Sequence, residues 1–284
     1  MRIAVIGADG QLGTALKGRL QGATIPLGRD ALDIADAASV ADVIARLQLD
    51  FVINAAAYNF VDRAEDESDR AAAVNVLGPR HVAETCAGLD IPVVHVSTDY
   101  VFGKDAERRI PYTESDLPGP LSEYARSKLT GESVVREICP KHFVVRTCGL
   151  YGRASSAGKG NFVKTMLRLG RERGAVSVVD DQWCTPTSAA DLADAIAGLI
   201  STNQYGLYHA TNAGSTTWFG FAAEIFRLAD ITVEMKPITT AQFGARAGRP
   251  AYSVLDSSKL AAATGRPMRA WQAALSDYLH GRDL

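Results

Sequence analysis

The 284-residue chain carries 30 Lys and Arg against 32 Asp and Glu, a net charge of −2, with 47% hydrophobic and 22% charged residues. This is the balance of a globular protein with room for a large core, and it offers neither a basic field for a nucleic-acid backbone nor a like-charged tail. The N-terminus enters a strand pattern directly instead of a basic region followed by an apolar segment, and no apolar run reaches the roughly 20 residues of a bilayer span, so neither secretion nor membrane insertion is expected.

In chain order, short apolar runs alternate with helical patterns. Ile3 to Ile6, Thr24 to Leu27, Phe51 to Asn54, Pro92 to Val96 and Phe143 to Arg146 are near-continuously apolar, as strands of a parallel sheet covered on both faces would be. Helices are predicted between them at about 11–20, 38–47, 70–88 and 122–138. Asn161 to Arg173 follows as a helix, Val176 to Val179 as a strand, Ser188 to Ser201 as a helix and Leu207 to Ala210 as a strand, with helices near 217–229 and 269–281. The alternation predicts an α/β fold, a Rossmann-like doubly wound parallel sheet with a small, mostly helical C-terminal substrate-binding lobe. Residues 1–151 plus about 179–212 would form the dinucleotide-binding domain, and about 152–178 and 213–284 the lobe over the C-terminal strand ends.

Cys86, Cys139, Cys148 and Cys184 form no C-x-x-C pair and read as reduced cytosolic thiols. The histidines at 81, 95, 142, 209 and 280 share no metal-ligand spacing.

The chemistry concentrates at the predicted strand ends. Gly7-Ala8-Asp9-Gly10-Gln11-Leu12-Gly13 follows the first strand and opens a helix, the context that a dinucleotide turn requires. Gly7 permits the tight turn, Gly10 lets backbone approach a pyrophosphate, and Gly13 allows close helix–strand packing. After the second strand, Arg29 can meet a 2′-phosphate, favouring NADPH, whereas Asp30 beside it keeps NADH possible. Ala55, Ala56 and Ala57 end the third strand with small side chains, so a cofactor can lie against the backbone. Thr98 ends the fourth strand, where its hydroxyl can bond a reacting carbonyl oxygen. Tyr124 and Lys128 are four residues apart on a predicted helix and so share a face. A lysine charge beside a phenol favours the phenolate and brings its pKa towards working range. A serine-threonine strand terminator or a chance Y-x-x-x-K is commonplace; their order behind a glycine turn is what points to an oxidoreductase.

The glycine spacing G-x-x-G-x-x-G with Tyr124-x-x-x-Lys128 resembles the extended branch of the short-chain dehydrogenase/reductase superfamily. Asp62-Arg63-Ala64-Glu65, Val74-Asn75, Ser97 to Phe102, Arg146-Thr147, Leu150-Tyr151-Gly152, Asp181-Gln182 with Thr185-Pro186-Thr187, and Leu255 to Lys259 are similar to its sugar-nucleotide 4-ketoreductases over nearly the whole chain. The resemblance implies NADPH (NADH possible) as cofactor and a dTDP-4-keto-6-deoxy sugar as substrate, reduced at the 4-keto group as in dTDP-4-dehydro-L-rhamnose. By it, Tyr124 protonates the alkoxide, Lys128 holds the nicotinamide ribose and lowers the Tyr124 pKa, and Thr98 orients the carbonyl. It adds Gln11, Leu12, Asp33, Ile34, Tyr58 and Asn75 to the cofactor set, and gives Asn59, Val61, Asp99, Tyr100, Gln182, Trp183 and Arg249 as substrate contacts. Tyr100 stands where dehydratase relatives carry a glutamate, which argues for simple carbonyl reduction. Three positions depart from the pattern: Gly149 replaces a frequent Trp, Cys184 a usual Gly, and Ala15 a glutamate that serves a metal-bridged dimer in some members. No metal is therefore expected, and a cytoplasmic monomer or weak homodimer is. The alternatives are a reductase of another nucleotide-linked 4-keto-6-deoxy sugar, or a non-catalytic NADP-binding regulatory subunit.

Overall fold

The computed structural model describes residues 1–154 and 160–282; part of the predicted lobe, 155–159 and 283–284, lies outside the described residues. The first half runs β1 (Ile3–Ile6), α1 (Gln11–Arg19), β2 (Thr24–Leu27), α2 (Ala37–Arg46), β3 (Phe51–Asn54), α3 (Ser68–Ala72), α4 (Gly78–Gly88), β4 (Val93–Thr98) and α5 (Glu123–Ile138). The second runs β5 (His142–Thr147), β6 (Leu150–Tyr151), α6 (Phe162–Arg173), β7 (Ala175–Val179), β8 (Trp183–Cys184), β9 (Thr187–Ser188), α7 (Ala189–Leu199) and β10 (Gly206–His209). The chain ends with β11 (Thr216–Thr217), α8 (Trp218–Leu228), β12 (Glu234–Ile238), α9 (Thr240–Phe243), α10 (Ser258–Thr264) and α11 (Trp271–Leu279).

Six parallel strands form the main sheet in the order β10-β5-β4-β3-β1-β2. The order turns back between β1 and β3, and a crevice opens outside the strand ends at such a switch point. Apolar side chains cover both faces. Leu12, Leu16, Leu192, Ile196 and Leu260, from α1, α7 and α10, pack on one face. Val40, Ile44, Val82, Cys86 and Val135, from α2, α4 and α5, pack on the other. A third cluster lies apart from the sheet, built by Val163, Met166, Phe221, Ile225, Trp271 and Leu275 of α6, α8 and α11.

The second predicted strand is an edge strand rather than one covered on both faces: Pro26 in β2 is exposed. Proline has no N–H for a further ladder, which confines it to such a place. On the opposite edge, Lys259 Nζ donates to the Leu207 carbonyl at 2.7 Å. The predicted 70–88 helix is interrupted by a π-helical turn at Ala73–Leu77. A Cβ on Gly131 would collide with the Asn75 carbonyl of that turn, so only glycine lets α5 lie this close.

Side-chain caps fix the helix starts that matter to the site. Ser122 Oγ accepts from Ala125 N at 3.2 Å, and Glu65 Oε1 accepts from Glu123 N at 2.9 Å, both at the N-terminus of α5. Further along α5, Glu132 is fully buried and accepts from Ser97 Oγ of β4 at 2.5 Å. The same carboxylate receives Arg146 of β5 through Nε at 2.9 and 3.1 Å and Nη2 at 2.7 Å. Arg146 also faces His209 Nε2 at 3.4 Å, and burial with that guanidinium pushes the His209 pKa down to about 3.

Removing one member of a buried pair strands the other charge. Glu132→Ala is expected to lower unfolding stability by about 3–5 kcal/mol in denaturant titrations; a loss within error would show that Arg146 is satisfied without it.

Candidate active site

A groove of about 320 Å³ opens at the C-terminal ends of β1, β3, β4 and β5. Gly10 to Gly13, Ala55, Ala57, Thr98, Tyr124 and Lys128 line it together. Gly7 has φ +78°, and a Cβ there would lie 2.8 Å from Ala56 N, so this left-handed, crowded position suits glycine alone. A Cβ on Gly13 would collide with the Gly7 carbonyl and with Ala8. The turn thus hugs β3 and leaves its outer side open. Gly10 is the N-cap of α1, no side chain caps that terminus, and no acidic residue stands in its first turn. Amides at an uncapped N-terminus beside a Cβ-free cradle fit a dinucleotide diphosphate.

The other predicted cofactor residues differ in reach. Leu12 points its side chain into the core, so it faces the groove through backbone. Gln11 Oε1 accepts from Gly152 N at 2.8 Å and Asn161 Nδ2 at 2.9 Å; its amide is a tether between the turn and the 150–161 segment. Asn75 is buried, accepts from Tyr58 N at 2.9 Å, and donates to the Tyr58 carbonyl at 3.2 Å and Ser127 Oγ at 3.0 Å. It shapes the groove through the Tyr58 backbone and not by direct contact. The Tyr58 hydroxyl turns away to Glu67 at 2.7 Å. Arg29 is exposed beyond β2, and Asp33 is exposed with Oδ1 accepting from Ala35 N at 3.1 Å. Ile34 is buried against Gly78.

Tyr124 and Lys128 are both buried, one turn apart on α5, facing the end of β4. Thr98 caps the short turn after β4 by accepting from Tyr100 N at 3.2 Å, and its hydroxyl donates to Asp99 Oδ1 at 3.1 Å. One expectation needs correction. The Tyr124 pKa is raised, not lowered: burial outweighs the hydrogen bond with Thr98 that pulls it down, and the Asp99 charge pushes it further up. Lys128 Nζ instead donates to the Val96 carbonyl at 2.7 Å, and burial, opposed by Glu132, pushes its own pKa down to about 8. The phenol is therefore protonated at neutral pH, the form a proton donor requires.

Among the predicted substrate contacts, Asn59, Val61, Asp99 and Tyr100 line the groove. The Tyr100 ring stands edge-on to Tyr124, with centroids 5.9 Å apart. Asp99 is buried, accepts from Ser253 Oγ at 2.6 Å, and has its pKa raised by desolvation. Gln182, Trp183 and Arg249 are not on the groove wall. Gln182 Nε2 donates to Thr240 Oγ1 at 2.9 Å, Trp183 is exposed on β8, and Arg249 forms a fork with Asp62 at 3.0 and 2.8 Å. Val96, Thr147, Cys148, Gly149, Leu150 and Trp218 line the groove although the sequence reading gave them no role as site residues. Thr147 to Leu150 sit at or just beyond the end of β5 and Val96 lies two residues inside the end of β4, so nearness to a strand end can find them; for Trp218 the sequence carries no such signal. Among the described residues, no cluster of three His, Cys, Asp or Glu side chains is placed to hold a metal ion, and no helix is long and apolar enough to cross a membrane.

The family model described as RmlD substrate binding domain matches residues 1–283. A Streptomyces griseus protein named dTDP-4-dehydrorhamnose reductase is 43% identical over 97% of this chain and 92% of its own length. A dTDP-4-dehydrorhamnose reductase structure from Clostridium acetobutylicum superposes with a TM-score of 0.94 at 39% identity, covering all of both chains. One from Bacillus anthracis, solved in complex with NADP, gives 0.93 at 40% identity over 99% of each chain.

Burial of the Lys128 ammonium leaves a pH signature. The unfolded lysine keeps its proton to its ordinary 10.5, while the folded one releases it near 8. Between those values the unfolded chain binds more protons, so stability attributable to this group rises with pH. The ligand-free protein is expected to gain stability relative to Lys128→Met across that window in chemical denaturation; parallel pH profiles would refute a buried, neutralising lysine.

Proposed function

This chain belongs to the RmlD substrate binding domain family, and we propose that it reduces the 4-keto group of dTDP-4-dehydro-L-rhamnose to give dTDP-L-rhamnose, with NADPH as cofactor. The observation that carries this reading is the single groove shared by the glycine turn, Thr98, Tyr124 and Lys128. A binding-only subunit has no need of a buried phenol hydrogen-bonded to a hydroxyl beside a dinucleotide cradle.

The glycine turn, Ala55 and Ala57 would hold NADPH, which would supply hydride to C4 of the sugar. As C4 gains hydride, its carbonyl oxygen becomes an alkoxide, a far stronger base than a phenolate. Tyr124, kept protonated by burial, gives its proton to that oxygen, and the phenolate recovers one from solvent. The raised Tyr124 pKa does not oppose this direction, because the acceptor is more basic still. Thr98, held by Tyr100 N and Asp99, orients the carbonyl against the phenol. Lys128, whose Nζ bonds the Val96 carbonyl in the ligand-free protein, would hold the nicotinamide ribose, and its charge would stabilise the phenolate formed. A positioned acid is worth about 100- to 10,000-fold in rate.

Residues 1–151 with about 179–212 bind the dinucleotide in this reading, and 152–178 with 213–284 bind the sugar nucleotide. Arg29 meets the adenosine 2′-phosphate. Asn59, Val61 and Tyr100 contact the sugar nucleotide, while Arg249, freed from Asp62, reaches its diphosphate. Ala15 carries no carboxylate for a bridging metal, so the working form is a monomer or weak homodimer without a metal link.

Tyr124→Phe is expected to bind NADPH normally and to lose at least about 100-fold in turnover, read as absorbance loss of the nicotinamide with enzymatically prepared dTDP-4-dehydro-L-rhamnose. Near-normal turnover would remove Tyr124 from the mechanism. Arg29→Ala is expected to weaken NADPH about 10-fold, as loss of a charged hydrogen bond does, and to leave NADH unchanged. Equal losses for the two cofactors would place the 2′-phosphate elsewhere.

A further inference from the structure

Trp218 is the first residue of α8, and its ring is half-buried on the groove wall. It is held from several sides. Its indole packs on Phe162 with centroids 4.8 Å apart and lies 6.4 Å from Phe221, within the helical cluster away from the sheet. The preceding residue, Thr217, caps α8 by accepting from Gly220 N at 3.0 Å, donates to Asp180 at 2.6 Å, and pairs with Trp183 in a short ladder. Such a ring presents a fixed apolar surface at small entropic cost, because its neighbours have already set its rotamer.

Gly149 keeps that surface uncovered. It has φ +53°, and a Cβ there would sit 3.5 Å from Trp218 Cη2 and 3.2 Å from Pro186 Cα. Any side chain at 149 would be strained and would stand at the rim of the indole. The groove therefore has three chemically distinct parts: backbone amides at the glycine turn, the hydroxyl pair Thr98 and Tyr124, and an indole supplied by the lobe. The first suits phosphate and the second a carbonyl. The third suits the C–H face of a saturated ring, whose apolar area is removed from water against the aromatic plane.

We propose that Trp218 is a specificity-determining residue, the platform on which the hexose ring of the nucleotide sugar packs while Thr98 and Tyr124 address its carbonyl. This rests on the reductase reading above and adds to it the wall that recognises the sugar. The probes are dTDP-L-rhamnose, dTDP alone and NADPH, titrated by calorimetry into the wild-type protein and Trp218→Leu. Trp218→Leu is expected to weaken dTDP-L-rhamnose about 10-fold, with dTDP and NADPH unchanged. A second readout does not depend on the leucine variant folding: dTDP-L-rhamnose should shift the tryptophan emission of the wild type, and Trp218→Phe should abolish that shift. Unchanged affinity for dTDP-L-rhamnose, an emission shift that survives in Trp218→Phe, or a loss that falls equally on dTDP or on NADPH would overturn the assignment while leaving the reductase reading intact. A wild-type protein that does not bind dTDP-L-rhamnose would overturn both.

Discussion

The arrangement depends most on the buried carboxylate of Glu132, which draws together α5, β4 and β5 through Ser97 and Arg146. Apolar contacts between a helix and a sheet are non-directional and tolerate small slides. Hydrogen bonds to a buried carboxylate do not, because a displaced partner leaves a charge without solvent. Lys128 lies one turn before Glu132, and Thr98 follows Ser97. One pin therefore sets the height of the α5 side chains against the end of β4. Gly131 serves the same end by letting the helix settle onto the Asn75 turn.

Two further sets of contacts join the sheet to the rest of the chain around the groove. On one side, Gln11 ties the glycine turn to Gly152 and Asn161, and Asn161 in turn caps α6 by accepting from Lys164 N at 2.9 Å. On the other, the segment after Val61 grips the 246–249 loop through Asp62 with Arg249 and Asp66 with Arg246. The first set is partly buried and neutral. The second is ionic and partly solvated, so salt weakens it more readily.

Much of this was legible in the amino-acid order. The apolar strands and the glycine turn declare themselves because a doubly covered parallel sheet demands continuous burial, and a sharp turn against β3 tolerates no Cβ. The spacing of Tyr124 and Lys128 places both on one helical face. What escaped has equally physical causes. β12 reads Glu-Met-Lys-Pro-Ile and is mostly exposed, with a partner, β7, some sixty residues earlier; neither periodicity nor composition marks it. The electrostatics of Tyr124 were misread because proximity in sequence was taken for charge contact, whereas Lys128 reaches a main-chain carbonyl and burial dominates both groups. Trp218 was invisible because its importance comes from Gly149, nearly seventy residues away in sequence and adjacent only after folding.

The two borders of the main sheet differ in chemistry but work alike. At β2, Pro26 presents no N–H to an incoming chain, and at β10 the Lys259 ammonium already occupies the Leu207 carbonyl. A growing ladder needs free donors and acceptors along a border. With one donor missing on one flank and one acceptor masked on the other, each border offers a foreign strand an interrupted row of partners, which disfavours self-templated extension of this sheet.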